Sequence, residues 1–157
     1  MKILVSYFSA GGVTKRVATR LADILDADLE EIRPVHKYTD EDLDWRNNHS
    51  RSSAEMNDEN CRPEIERPVH DLSSYDVVLV GYPIWWYVEP RVVDTYLERF
   101  DLAGKRIIPF ATSGGSSISG SVSRLRNLHP KAEIEEGLLL NHGLDEIVIR
   151  KKIDGGK

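Results

Sequence analysis

The stretch Ser9-Ala10-Gly11-Gly12-Val13-Thr14 places hydroxyls at both ends of a short run that contains two glycines. Glycines let the backbone curl until successive amides converge on an anion. Val17, Leu21, Ile24 and Leu25 follow at helical spacing, so a helix begins near Val13 or Thr14. Its first turn adds unpaired amides and the positive end of the helix dipole. Lys15 and Arg16 fall in that turn, where the dipole alone disfavours cations. A bound phosphate would offset the penalty, although both residues also read as a solvated helix face.

Two further stretches carry suitable chemistry. Gly81-Tyr82-Pro83-Ile84-Trp85-Trp86-Tyr87 sets three aromatics in succession. Consecutive side chains cannot all point into one core, so at least one is expected to face a cleft, where its ring suits a planar cofactor. Thr112-Ser113-Gly114-Gly115-Ser116-Ser117 carries no large side chain. Its glycines permit close backbone approach, and its hydroxyls and amides can satisfy a pyrimidine's carbonyls. Each stretch alone has a bland reading as a turn or a packed edge. Three at one edge are far more specific.

The elements that must position them alternate. Residues 3–5, 27–32, 76–82, 106–111 and 134–140 read as five strands. Helical patterns follow from Val13, from Pro90 with Val92, Val93, Tyr96, Leu97 and Phe100, and through Ile118, Val122, Leu125 and Leu128, and a weaker one spans 144–153. Alternating strands and helices imply right-handed parallel β-α-β units, hence an α/β doubly wound sandwich. Ligands in such sheets bind beyond the carboxyl ends of the strands, where all three stretches fall. The exception is 36–74, a long polar span with Tyr38, Leu43, Trp45 and Met56 as its main large apolar residues. It is expected to hold a short helix near 40–46 and to serve as a crossover or as a cover over the site.

Composition bounds the rest. The 157 residues fit one domain, 1–157, and 40% hydrophobic with 30% charged residues can bury a core. A net charge of −5 with no block of Lys and Arg argues against nucleic acid. The lone Cys61 can form neither an intramolecular disulfide nor a thiolate metal cage. No metal site is expected. The start of the chain lacks a signal-peptide pattern and the apolar run 77–88 is too short to span a bilayer, so the expected compartment is the cytoplasm. His129 and His142 read as turn residues, since one His without visible partners defines no site. No catalytic side chain is expected.

The Ser9–Thr14 loop resembles the flavodoxin phosphate loop, in which a hydroxyl residue, any residue, Thr, Gly, Asn and Thr follow in order. Gly11 stands at the first Thr position and Val13 at the Asn position, which removes two side-chain donors. The Pro83-Ile84-Trp85-Trp86 and Thr112-Ser113-Gly114-Gly115 loops resemble the two flavin-ring loops of a bacterial flavodoxin-like family. The resemblance spans almost the whole chain. It implies a five-stranded parallel sheet of order 2-1-3-4-5 and non-covalent flavin mononucleotide (FMN). Ser9, Gly11, Gly12, Val13 and Thr14 would hold the phosphate. Pro83, Ile84, Trp85, Trp86 and Tyr87 would border the ring, with Thr112, Ser113, Gly114 and Gly115 along its other edge. Absence of Gly-x-Gly-x-x-Gly after the first strand argues for FMN over FAD.

Competing anion-loop proteins fit poorly. A P-loop enzyme needs Gly-x-x-x-x-Gly-Lys-Ser/Thr; a receiver domain resembles a chain with acidic residues ending its first strand; a low-molecular-weight phosphatase needs a loop cysteine. Three readings stay open: an electron carrier with an unknown redox partner, an FMN-dependent NAD(P)H oxidoreductase acting on a quinone or similar acceptor, and a binding module that has lost its flavin.

Overall fold

The computed structural model describes residues 1–113, 115–141 and 144–155. Strands β1 (Ile3–Tyr7), β2 (Asp28–Glu31), β3 (Val77–Pro83) and β4 (Arg106–Thr112) are joined by two short ones, β5 (Glu133–Ile134) and β6 (Leu138–Leu139). All pair in parallel in the order β2-β1-β3-β4-β5, with β6 also on β4. This is the expected order. Helices α1 (Val13–Leu25), α3 (Arg91–Leu97), α4 (Ser119–Leu128) and α5 (Glu146–Gly155) pack on the two faces.

The period of two along each strand decides which face a residue serves. Val77, Leu79, Ile108 and Phe110 pack with α1 and α5 through Leu21, Ile24, Ile149 and Ile153. Their neighbours Val78, Val80, Tyr82, Ile107 and Ala111 pack with α3 and α4 through Val93, Tyr96, Val122 and Leu125. The central strands are buried on both sides, hence their near-continuous apolar runs.

The fifth strand, expected over 134–140, is broken, and Pro109 is the reason. Ile107 and Ala111 present their carbonyls to this edge, accepting from Glu135 and Leu140, so Pro109 between them faces the same way. It has no N–H to give. The register moves from Ile107 opposite Ile134 to Phe110 opposite Leu138, one residue more on the edge than on β4. The result is a bulge that splits the strand in two.

The helix expected near 40–46 is also absent; the segment forms turns. Thr39 and Asp42 exchange side-chain and backbone hydrogen bonds, Asp44 accepts from the Arg46 amide and Asn47 from the His49 amide. Such short polar side chains compete with helical bonding. The helix lies later, as α2 (Arg51–Asn57), where the Ser50 hydroxyl caps the Ser53 amide. Buried Arg91 then donates to the carbonyls of Glu55, Met56 and Asp58 at its far end. With Met56, Ile65 and Leu72 also buried, residues 36–74 are tied to the domain.

Gly81, near the end of β3 before the aromatic loop, sits against Phe110 so closely that a Cβ would clash with its ring. Overpacking a core costs about 1–3 kcal/mol. Gly81→Ala is expected to lower the urea midpoint by at least that equivalent with an unchanged denaturant slope; an unaltered midpoint would contradict this packing.

Candidate functional site

The first loop leaves β1 tied to β3 by Phe8 N–H donating to the Gly81 carbonyl at 2.9 Å. Gly12, at φ +92°, caps α1 in a left-handed conformation that disfavours a side chain. The Ser9 hydroxyl accepts from the Gly12 amide at 3.1 Å. No side chain caps the helix and its first turn holds no acidic residue, so the amides of Val13 and Thr14 have no intrahelical partner. Thr14 is buried and its hydroxyl meets that of Thr112, the last residue of β4, at 2.9 Å. One hydroxyl hydrogen serves that contact, leaving the other to donate elsewhere.

The third loop is stiffened from within. Ser113 Oγ accepts from the amides of Gly115 and Ser116 at 3.2 and 2.8 Å. The Ser113 amide itself donates to Asn141 Oδ1 at 2.7 Å. Gly114 and His142 lie outside the described residues. Asn141 was not among the residues singled out from sequence; its place just past β6 is the signal that points to it.

The second loop is joined to the third by Ile84 N–H donating to the Thr112 carbonyl at 3.0 Å. It then makes a tight reversal in which Trp85 and Val88 exchange backbone hydrogen bonds of 2.9 and 3.1 Å. The two residues at its tip, Trp86 and Tyr87, lie at φ +47° and +70°. Such turns favour Asn and Gly, because side chains in left-handed backbone cost on the order of 1–3 kcal/mol each. Trp85 turns inward, edge-to-face with Phe8 at 5.7 Å and with Tyr38 at 5.4 Å. Trp86 and Tyr87 point outward and are exposed. Tyr38 is fixed in turn by donating to Glu55, with the Arg51 guanidinium 3.8 Å from its ring.

Together the loops border an open cleft of about 510 Å³ lined by Ala10, Gly11, Val13, Thr14, Pro83, Ile84, Trp85, Thr112, Ser113 and Asn141. Trp86 and Tyr87 instead line an adjoining cleft that shares Ile84 and Trp85 as its wall. Ser9 lines an adjoining pocket that shares Ala10 with the main cleft, and Gly12 and Gly115 sit in the bordering loops without lining it. The volume falls within the range of small-ligand sites. Among the described residues its lining has amide donors at one end, an apolar wall at the other, and no charged side chain. That suits binding of an anionic group joined to a planar ring.

Behind the aromatic loop lies a buried polar network. Glu89 accepts from Ser121 Oγ at 2.8 Å and from Arg124, which also donates to Asp94 at 2.6 Å, while the Tyr82 hydroxyl meets Ser121 at 2.7 Å. Burial, and then the neighbouring Glu89 carboxyl, push the Asp94 pKa up to about 8. Among the described residues no cluster of His, Cys, Asp and Glu could hold a metal ion, and no helix is long and apolar enough to cross a membrane. Cys61 lies in a loop, where burial raises its thiol pKa.

Strand order 2-1-3-4-5 with a cleft at the strand ends defines the flavodoxin-like class of doubly wound α/β proteins. The chain belongs to the flavodoxin family, whose model, described as Flavodoxin, matches residues 2–155. It is 49% identical to a candidate flavoprotein from Bacteroides eggerthii, whose crystal structure superposes with a TM-score of 0.93 over 98% of this chain and 96% of that one. A flavoprotein from Lactobacillus acidophilus, solved in complex with FMN, shares the fold with a TM-score of 0.76 at 21% identity, covering 98% and 97% of the two chains. YcaK of Escherichia coli K12, an uncharacterized NAD(P)H oxidoreductase, is 28% identical over 92 residues, which span 57% of this chain but 42% of that protein.

An acid whose pKa is raised by folding stabilises the fold below its unfolded pKa and loses that contribution as pH rises through the folded value. For Asp94 the window runs from about 4 to about 8. Asp94→Asn keeps an acceptor for Arg124 and removes the titration. Its stability relative to the parent is expected to climb steadily between pH 5 and pH 8 in urea unfolding; a pH-independent difference would contradict the assignment.

Proposed function

We propose that the chain binds FMN non-covalently in the 510 Å³ cleft and carries out electron transfer with it. The observation that carries this reading is the uncapped first turn of α1 facing one cleft with the Pro83-Ile84-Trp85 wall. The site fits the group. The Val13 and Thr14 amides offer donors to a phosphate, with no acidic residue in the first turn of the helix. The hydroxyl of Ser9 accepts from Gly12 and retains its hydrogen for the phosphate. Thr14 and Thr112 retain one between them. Asn141 keeps its NH2 for a ring carbonyl, because its oxygen already accepts from Ser113. Ile84 and Trp85 supply dispersion contact and exclude water from one side of the ring.

Bound flavin would supply the redox chemistry, which explains why the cleft needs no nucleophile or acid–base pair. The single-phosphate loop favours FMN over FAD. A reductase using NAD(P)H is the second reading, supported by the similarity to YcaK. Anaerobic mixing with NADH and NADPH separates the two.

Cofactor released by acid is expected to run as FMN, and predominant FAD would overturn the assignment. Ser9→Ala removes one charge-assisted hydrogen bond of about 1.5–3 kcal/mol, equivalent to about a tenfold or greater loss of FMN affinity. Riboflavin, lacking the phosphate, should bind the variant as it binds the parent. Equal losses for both ligands would sink the phosphate assignment.

A further inference from the structure

The chain carries a net charge of −5, yet one open pocket of about 410 Å³ is lined by Arg67, His70 and Arg99, with Val69, Asp71 and Phe100 beside them. None of these residues lines the proposed flavin cleft. Arg33, Arg51, Arg62, Arg91, Arg106, Arg124 and Arg150 each stand within 3.9 Å of a carboxylate. Arg67 and Arg99 do not. Among the described residues, the Arg99 guanidinium donates only to the Ile65 carbonyl, at 3.5 Å, and that of Arg67 has no partner. Asp71, the one acid in the lining, accepts from the Ser73 amide at 3.0 Å.

The pocket is held in shape from beneath. Glu30 of β2 is buried; its Oε2 accepts from the amides of Val69 and His70 at 2.6 and 3.2 Å, and its Oε1 accepts from the Tyr96 hydroxyl at 3.0 Å. These bonds fasten the 69–70 backbone to the sheet and to α3 at once. His70 Nδ1 is buried 3.4 Å from the same Oε2 without a well-aligned hydrogen bond, so the opposite edge of the ring, which carries Nε2, is the one that lines the pocket. Phe100, packed edge-to-face on Tyr96 at 5.3 Å, supplies an apolar wall. A lining fixed in advance loses less entropy when a ligand arrives.

A guanidinium fork pairs with two oxygens of one anion. A dianionic phosphate has oxygens for both forks and for the imidazole, whereas a monocarboxylate fills one fork and leaves the other bare. We propose that this pocket is a second anion site, which takes a phosphate monoester between Arg67 and Arg99 with its organic part against Phe100. Arg99 stands just past the carboxyl end of α3, where the helix dipole by itself favours a cation. Arg67 has no such role, so it reports on the ligand most cleanly. The pocket shares no residue with the flavin cleft and binds its ligand whether or not FMN is present.

The test titrates phenyl phosphate, inorganic phosphate and benzoate into flavin-free and FMN-saturated protein and follows amide chemical shifts. Phenyl phosphate should move the amides of Val69, His70 and Asp71 saturably in both forms and bind more tightly than inorganic phosphate. Benzoate, with one charge, should bind most weakly. Arg67 is exposed, so its replacement leaves the core intact. Arg67→Gln should weaken phenyl phosphate about three- to tenfold, the scale of a solvent-screened pair with a bidentate fork, and Arg67→Lys should fall between the two. Added sodium chloride should weaken binding to the parent. FMN should suppress any response to phosphate at residues 11–14 and leave that at 69–71 unchanged; if FMN does not bind, the flavin-free titration alone decides the pocket. Shifts confined to residues 11–14, parental affinity in both Arg67→Gln and Arg99→Gln, or benzoate binding as tightly as phenyl phosphate would each overturn the inference.

Discussion

The parallel register of β1, β3 and β4 is the constraint on which the site depends. It brings Tyr7 beside Gly81 and Pro83 beside Thr112, so the three strands end at one edge. Hydrogen bonding continues a step past the strands, through Phe8 to Gly81 and Ile84 to Thr112. The contact between Thr14 and Thr112 then pins the first turn of α1 to the end of β4. Polar and aromatic groups from distant parts of the chain are thereby fixed against one another before any ligand arrives, which lowers the entropy lost on binding.

The aromatic loop needs additional support because its tip is strained. Glu89 follows the reversal directly and is buried against Ser121 and Arg124 of α4. Arg124 in turn bridges to Asp94 of α3. A buried carboxylate stripped of such partners would be costly, so this network couples the position of the loop to the packing of two helices. On the other side, Trp85 is locked between Phe8 and Tyr38. Strain at Trp86 and Tyr87 is thus sustained by fixed structure on both flanks, leaving their side chains to face solvent.

Much of the fold was legible because it rests on local rules. Alternating apolar runs and helical spacing identified β1, β3, β4, α1 and α4, and the glycines at 11 and 12 marked the turn between β1 and α1. What was illegible depended on tertiary register. Pro109 is plain in the sequence, but only the pairing shows that its missing N–H faces the edge strand and splits it. The helix in 36–74 lies later than 40–46 because Thr39, Asp42, Asp44 and Asn47 use their side chains to compete with helical bonding. The three loops that border the cleft could be read from residue type. Asn141 could not, because its importance lies in its bond to the Ser113 amide. Nothing in Trp-Trp-Tyr signals the left-handed pair that sends Trp86 and Tyr87 to another cleft than Trp85's main one.

The central claim is that the amides opening α1 receive a phosphate while the other two loops receive a ring. Amide chemical-shift changes during titration of the flavin-free protein with FMN and with riboflavin test it most directly. FMN should move the amides of Gly11, Gly12, Val13 and Thr14 strongly, and riboflavin should leave those four nearly still. Both ligands should move Ile84, Trp85 and Ser113. Amides at 11–14 that ignore FMN, or that respond equally to riboflavin, would contradict the account.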